Sequence, residues 1–292
     1  MVSKKLITAL TGIGLLLCGC SERVPELQKK ISILTKDFPG EIGVAVACGK
    51  DTVCINADGP FPMFSVVKFP QAVTVAERVN FDEMIDVTAE DLKPDTWSPM
   101  REKYPEGGSF SVRQIVEYAL IESDNNASDI LFDRFDTPEK VEQSMVRWKI
   151  GDCCIECTEA EMHDNINLYR HNWMTPMAAV NLLGEFLVRR EESREFEIVW
   201  ETMTRCNTGA ERIPKYISDK GCEIIHKTGT GPVLEDGTVT GINDIACVLF
   251  PDDRHFELAV FIKNAKCEVS ECEELIAKIA ETVYFDKRDS AK

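Results

Sequence analysis

The chain has 292 residues, 44% of them hydrophobic and 28% charged, which suits one large domain or two modest ones with a sizeable core. With 17 glycines, 13 prolines, no sustained heptad and no internal period, collagen-like, coiled-coil, solenoid and wholly disordered architectures are excluded. Fifty acidic against 33 basic residues give a formal charge of -17, and so acidic a chain repels phosphate backbones, which argues against nucleic acid as a partner.

The first element is an address. Lys4 and Lys5 precede an apolar run from Leu6 to Leu17 that is too short and too poorly flanked for a stable membrane span. It ends in Leu17-Cys18-Gly19-Cys20, which resembles a bacterial lipobox. Residues 1–19 are therefore expected to be a signal peptide of an exported, periplasmic protein, with Cys20 as its lipid anchor. Each acyl methylene buried in a membrane contributes ~0.8 kcal/mol, so two or three chains anchor stably. The alternative is an ordinary secretory leader, which exports the chain as well.

Ten cysteines remain beyond Cys18 and Cys20, and export favours disulfides. Cys48 and Cys54 flank Gly49-Lys50-Asp51-Thr52, so a hairpin could join them, and Cys267 and Cys272 could close another short loop. Cys153, Cys154 and Cys157 with His163 match no standard zinc spacing, and no metal is expected.

Val24, Leu27, Ile31 and Leu34 recur at helical spacing. Residues 42–47 and 52–55 then form paired strands. From Ser65 to about Phe196 helical signals dominate, clearest at 71–79, 112–121, 127–135, 138–148 and 177–189. Residues 149–176 look irregular, and so long a loop inside a compact domain is usually functional. Strands return at 223–227, 244–250 and 256–262, and 270–284 closes as a helix with Ser270 as a plausible N-cap. Strands at both ends around a helical middle predict an α/β (α+β) fold. An antiparallel sheet is built from both termini, helices pack on it, and an all-helical lobe is inserted. The α/β lobe is expected at about 24–60 and 210–288, the helical lobe at about 61–209, and the mature chain, 20–292, as a single catalytic domain.

Three short motifs carry chemistry. Ser65-Val66-Val67-Lys68 opens a helix, where i and i+3 share a face and a hydroxyl meets an amine. Ser123-Asp124-Asn125 joins two helical runs, and Lys227-Thr228-Gly229-Thr230-Gly231 ends a strand. Each alone is ordinary, a cap or a glycine turn. In this order, on helix, loop and strand, they resemble the penicillin-recognising serine acyltransferases, which include class A β-lactamases and penicillin-binding proteins. The resemblance spans about residues 24 to 284 and implies the β-lactamase/transpeptidase-like fold with a five-stranded sheet.

Glu159-Ala160-Glu161-Met162-His163 lies in the irregular segment. It resembles the PER-like and CfxA-like branch of class A, where a loop glutamate activates the deacylating water. Glu159 takes that role by resemblance, with Glu161 and Glu156 as rivals. His163 stands where most class A enzymes have asparagine, which makes it a candidate for positioning water. Thr208-Gly209-Ala210-Glu211-Arg212 resembles a T-G-x-x-R segment. Arg212 could therefore hold a substrate carboxylate, a structural ion pair being the alternative.

The resemblance implies hydrolysis of a β-lactam, by preference a cephalosporin, through an acyl-enzyme. Ser65 would attack beside a largely charged Lys68, Ser123 would relay a proton to the leaving nitrogen with the help of the Lys227 ammonium, and Glu159 would activate the deacylating water. The N–H groups of Ser65 and Thr230 would form the oxyanion hole. Asn125, Lys227, Thr228, Gly229, Thr230 and Arg212 would bind substrate. Bringing a lysine from its ordinary pKa of about 10.4 to 7 costs about 4.6 kcal/mol. A cation at Lys227 favours that loss and an anion at Glu159 opposes it, so Glu159, acting through a water, is the expected base toward Ser65. No cofactor is implied, and a monomer is expected. A DD-peptidase or a non-hydrolysing β-lactam sensor would share the three motifs but not Glu159.

Overall fold

The computed structural model describes residues 23–289; the signal-peptide and Cys20 expectations lie outside these residues. Helix α1 (Arg23–Thr35) turns the expected stripe inward, burying Leu27 and Ile31 completely. Strands β1 (Glu41–Cys48) and β2 (Asp51–Ile55) form a hairpin whose two-residue turn begins at Gly49, φ 60, a position that favours glycine in a II′-type turn. The short β3 (Phe61–Pro62) leads into a 3₁₀ turn, Phe64–Val67, that runs on as α2 (Lys68–Ala76).

The helical lobe follows. Strand β4 (Met84–Thr88), helix α3 (Pro99–Lys103) and strand β5 (Gly107–Ser111) come first, with β4 and β5 paired as a ribbon. Helices α4 (Val112–Ile121), α5 (Asn125–Arg134) and α6 (Pro138–Arg147) come next. The stretch expected to be irregular contains β6 (Cys153–Cys154), α7 (Glu159–Asp164) and β7 (Trp173–Met174); β7 pairs with both β3 and β6. Helices α8 (Pro176–Arg189) and α9 (Arg194–Met203) end the lobe. Side-chain caps set the starts. Ser111 and Gln114 form a capping box on α4, while Thr137 and Thr175 cap α6 and α8 just ahead of prolines 138 and 176. The ribbon β4–β5 and helix α9 were not expected. Gly107 and Gly108 in β5 and the short apolar pattern of β4 give little strand signal.

Strands β8 (Glu223–Thr230), β9 (Val239–Leu249) and β10 (His255–Ala265) and helix α10 (Val269–Asp289) complete the chain. The main sheet is antiparallel in the order β2-β1-β10-β9-β8. It is covered on one face by α1 and α10, through Leu27, Ile276 and Val283, and on the other by α8 and the helical lobe. Nearly every residue of β9 and β10 is buried, so these central strands carry apolar runs rather than alternation.

One expectation needs correction. Cys48 lies opposite Asp51, and Cys54 lies opposite Ala45. Residues directly opposite share a face and odd spacing along a strand reverses it. Cys48 therefore packs with the α1–α10 side and Cys54 with the other, and a disulfide across this hairpin is excluded. Cys267 and Cys272 do meet, as free thiols with sulfurs 3.7 Å apart.

Candidate active site

The Ser65 turn is wedged between the two lobes. Phe64, just before it, has φ 48, a conformation a bulky residue adopts only when its surroundings enforce it. Its ring stacks on Tyr169, centroids 5.4 Å apart, and fills space that a Cβ on Gly231 or Gly241 would occupy, at 2.3 and 2.4 Å from ring atoms. Gly229 is required for a second approach, since a Cβ there would sit 2.3 Å from the Met63 carbonyl. The end of β8 is thereby brought directly against the turn that carries Ser65.

Lys68 is fully buried and serves as the hub. Its Nζ donates to Ser65 Oγ at 2.8 Å and to Asn125 Oδ1 at 2.9 Å, and it forms a direct ion pair with the Glu159 carboxylate. The helical i, i+3 spacing places the first of these contacts. The three glutamates of the loop separate cleanly. Glu161 folds back on Thr158 in a capping box, Glu156 points outward to His171 at 2.7 Å, and Glu159 alone of the three reaches Lys68. His163 is exposed on α7 and is not among the residues lining the cleft. Behind Glu159, its backbone N–H donates to Asp129 Oδ1 at 2.8 Å. Burial and the Glu159 charge push the Asp129 carboxyl up to about 7, with Lys68 opposing.

Ser123 also has a left-handed backbone, φ 57. Asp124 is fully buried and structural. It caps α5 at Ala127 N and accepts from Ser98 Oγ and Met100 N, at 2.9 and 2.7 Å. Asn125 is held by Thr96 Oγ1, 2.9 Å from its Nδ2. From β8, the buried Lys227 Nζ donates to Ser123 Oγ at 2.9 Å and to Thr228 O at 3.0 Å. Burial pushes Lys227 down to about 7; Lys68 adds to this, while Glu159, Cys206 and Asp244 resist.

Arg212 is buried behind β8 rather than open to the cleft. Its guanidinium donates to Gly229 O (3.1 Å), Asn243 O (2.9 Å), Glu273 (3.2 Å) and Thr230 Oγ1 (2.7 Å). It thus braces the end of the strand and orients the Thr230 hydroxyl.

Ser65, Trp97, Ser123, Asn125, Thr208, Thr228 and Thr230 line a cleft of about 370 Å³. A larger cavity, about 1000 Å³, lies between α8 and the β9–β10 turn and contains none of the motif residues; chemistry, not size, identifies the site. Sequence reasoning missed Trp97 and Asp129. Trp97 is largely exposed, with Nε1 donating to Glu122 O at 2.8 Å. An isolated tryptophan in a loop carries no spacing signal, and Asp129 is one more acid in an acidic chain. The assembled groups give a hydroxyl nucleophile, a buried ammonium touching it, a carboxylate touching the ammonium, and a second ammonium–hydroxyl pair across the cleft. Such a set suits nucleophilic attack followed by general-base hydrolysis.

Comparison with known proteins agrees with this chemistry. Residues 26–285 match the beta-lactamase enzyme family. The chain is 30% identical to beta-lactamase VEB-1 of Pseudomonas aeruginosa, over 98% of this chain and 99% of that protein. Among solved structures it resembles TLA-1 extended spectrum beta-lactamase, with a TM-score of 0.87 and 31% identity over 91% of this chain and 99% of that one. A class A beta-lactamase from Bacteroides cellulosilyticus DSM 14838 gives a TM-score of 0.87 at 26% identity, over 91% and 99% of the two chains.

Proposed function

The chain belongs to the beta-lactamase enzyme family, as a class A serine β-lactamase of the PER/VEB/TLA-like branch that hydrolyses β-lactams, and on that basis we propose the residues that do the work and the substrates they favour. Ser65 Oγ attacks the β-lactam carbonyl, and the backbone N–H groups of Ser65 and Thr230 hold the developing oxyanion; losing one such donor typically costs about 10²–10³ in rate. Glu159 takes the Ser65 proton through a water, while the Lys68 charge holds both groups in register. Ser123, paired with Lys227, returns a proton to the leaving ring nitrogen. Glu159 then activates the water that cleaves the ester. Lys227, Thr228, Gly229 and Thr230 take the substrate carboxylate, Asn125 takes the side-chain amide, and Arg212 acts from behind by fixing Thr230.

The observation that carries this reading is the triple contact of Lys68 Nζ with Ser65, Asn125 and Glu159. A preference for cephalosporins is supported by the likeness to TLA-1, described as an extended spectrum enzyme. Export through residues 1–19 and anchoring at Cys20 are supported by the lipobox-like Leu17-Cys18-Gly19-Cys20. Purified enzyme assayed on a chromogenic cephalosporin, a penicillin and a carbapenem should show many turnovers, with the highest kcat/KM on the cephalosporin. A higher kcat/KM on the penicillin overturns the preference. A single stoichiometric burst on all three overturns the role of Glu159.

A further inference from the structure

Behind the Thr208–Thr228 wall of the cleft stand three groups that hydrolysis does not use. Asp244 on β9 lies 3.1 Å from His226 Nδ1 on β8, and both are buried. Asp244 is itself fixed by the Ile213 N–H at 3.1 Å. With Nδ1 on Asp244, the His226 imidazole is held so that its charge bears on the Cys206 sulfur. A carboxylate-bound imidazole whose charge favours the thiolate is the setting that activates a cysteine nucleophile.

Cys206 differs from every other cysteine among the described residues. All ten are free thiols. Burial pushes nine of them up, at Cys48, Cys54, Cys153, Cys154, Cys157, Cys222, Cys247, Cys267 and Cys272. At Cys206 burial acts in the same direction, but the His226 imidazolium and Lys227 outweigh it and bring the thiol down to about 7. His226 is correspondingly carried up to about 10, burial being outweighed by Asp244 and Cys206. The thiolate is the reactive form of cysteine, and Cys206 is only half-buried.

Its sulfur is also wired to the cleft. Sγ lies 3.4 Å from Thr208 Oγ1, and that hydroxyl lies 2.7 Å from Thr228 Oγ1; both threonines line the cleft. We propose that Cys206 is a modification site: its sulfur, set by His226 and Asp244, exchanges with small disulfides and thiosulfonates, and the added group displaces Thr208 and Thr228 and stops hydrolysis. In the exchange the Cys206 sulfur attacks one sulfur of R–S–S–R. The new S–S bond forms as the old one breaks, and RS⁻ leaves. A thiosulfonate reacts in the same way and releases a sulfinate. Added thiol reverses either product. The loss of hydrolysis rests on the function proposed above, whereas the exchange itself does not.

The test treats the full-length enzyme at pH 7 with limiting methyl methanethiosulfonate, maps the modified peptide by mass, and follows cephalosporin hydrolysis. The first methylthio group should map to Cys206. Hydrolysis should fall about a hundredfold, the typical cost of an ångström-scale misplacement near a reacting centre, and dithiothreitol should restore it. Cys206→Ser and Cys206→Ala, each compared with its own untreated rate, should keep their activity under the same treatment. First labelling at another cysteine overturns the proposal, as does labelling of Cys206 that leaves hydrolysis intact. If a variant fails to fold, the wild-type map and its thiol reversal still decide. If untreated enzyme does not hydrolyse the drug, the proposed function has failed, and the peptide map judges Cys206 separately.

Discussion

Lys68 and Glu159 form a direct ion pair at the floor of the cleft, with the Lys68 side chain fully buried and that of Glu159 10% exposed. Breaking a buried pair by removing one partner is strongly destabilising, by about 3–5 kcal/mol, because the other charge is left uncompensated. The contact therefore fixes α7 against α2 and sets the distance between Ser65 and the Glu159 carboxylate in one stroke.

Glu159→Gln keeps the shape and an acceptor for Lys68 but loses the base. The variant should still acylate, though more slowly because Ser65 has lost its base as well, while deacylation falls further, by about 10²–10⁴. Intact-mass spectra after mixing with a cephalosporin should show a lasting covalent adduct. Rapid turnover by this variant would mean that another acid frees the ester.

Lys227 gives a pH signature. Burial, reinforced by Lys68, brings it down to about 7, so raising the pH through 7 converts its ammonium to an amine that cannot pair with a substrate carboxylate. Because kcat/KM reports the free enzyme, it should fall with rising pH above about 7. Lys227→Arg does not titrate in this range and should flatten that limb. A wild-type profile that stays level to alkaline pH would show that Lys227 keeps its charge above pH 7.

Asp129 makes a stability prediction. Its folded-state pKa, about 7, lies above the ordinary 3.8, so between these values the folded state binds more protons and stability falls as the pH rises. Asp129→Asn keeps the acceptor for the Glu159 N–H and removes the titration. At pH 4 the two proteins should melt alike. Above pH 7 the variant should be more stable by about 1–4 kcal/mol, at ~1.36 kcal/mol per pKa unit. Thermal melts across the range measure the difference, and one that does not change with pH would show that Asp129 stays ionised throughout.

Arg212→Ala strands Glu273 and the carbonyls of Gly229 and Asn243, all partners of the guanidinium. It should destabilise the enzyme by roughly 3–5 kcal/mol and raise KM as Thr230 loses its donor. Arg212→Lys supplies one point charge where a planar fork fills four contacts, and should recover only part of either loss. Denaturant melts and steady-state kinetics on the same preparations measure both. Unchanged KM in Arg212→Ala would show that Thr230 needs no brace.

Much of this was legible in the sequence, because local rules carry it. The helix at 112–121 is observed as Val112–Ile121, and the S-x-x-K pair meets across one turn. The choice of Glu159 over Glu156 and Glu161 rested on resemblance; the physical reason is that Thr158 takes Glu161 as its cap and leaves Glu159 to face inward. What stayed hidden depends on non-local geometry. The face of Cys54 follows from strand register rather than from its distance to Cys48. Arg212 takes the structural alternative rather than the carboxylate-binding one, since it is buried, pairs with Glu273 and braces the end of β8 through Thr230. Trp97 reaches the cleft only because the Ser123 segment binds its loop, through Asn125 N to Trp97 O at 3.0 Å.

The left-handed Phe64 has a consequence for biogenesis. Its ring is seated by Gly231 and Gly241, which are synthesised long after the serine beside it. A nascent chain that has emerged only as far as Lys68 holds the reactive pair but not the mould that aims it. The enzyme therefore switches on late, when the last strands dock, and such long-range pairing is the slow part of folding. A polypeptide cut short before β9 would carry the nucleophile and remain inert toward the drug.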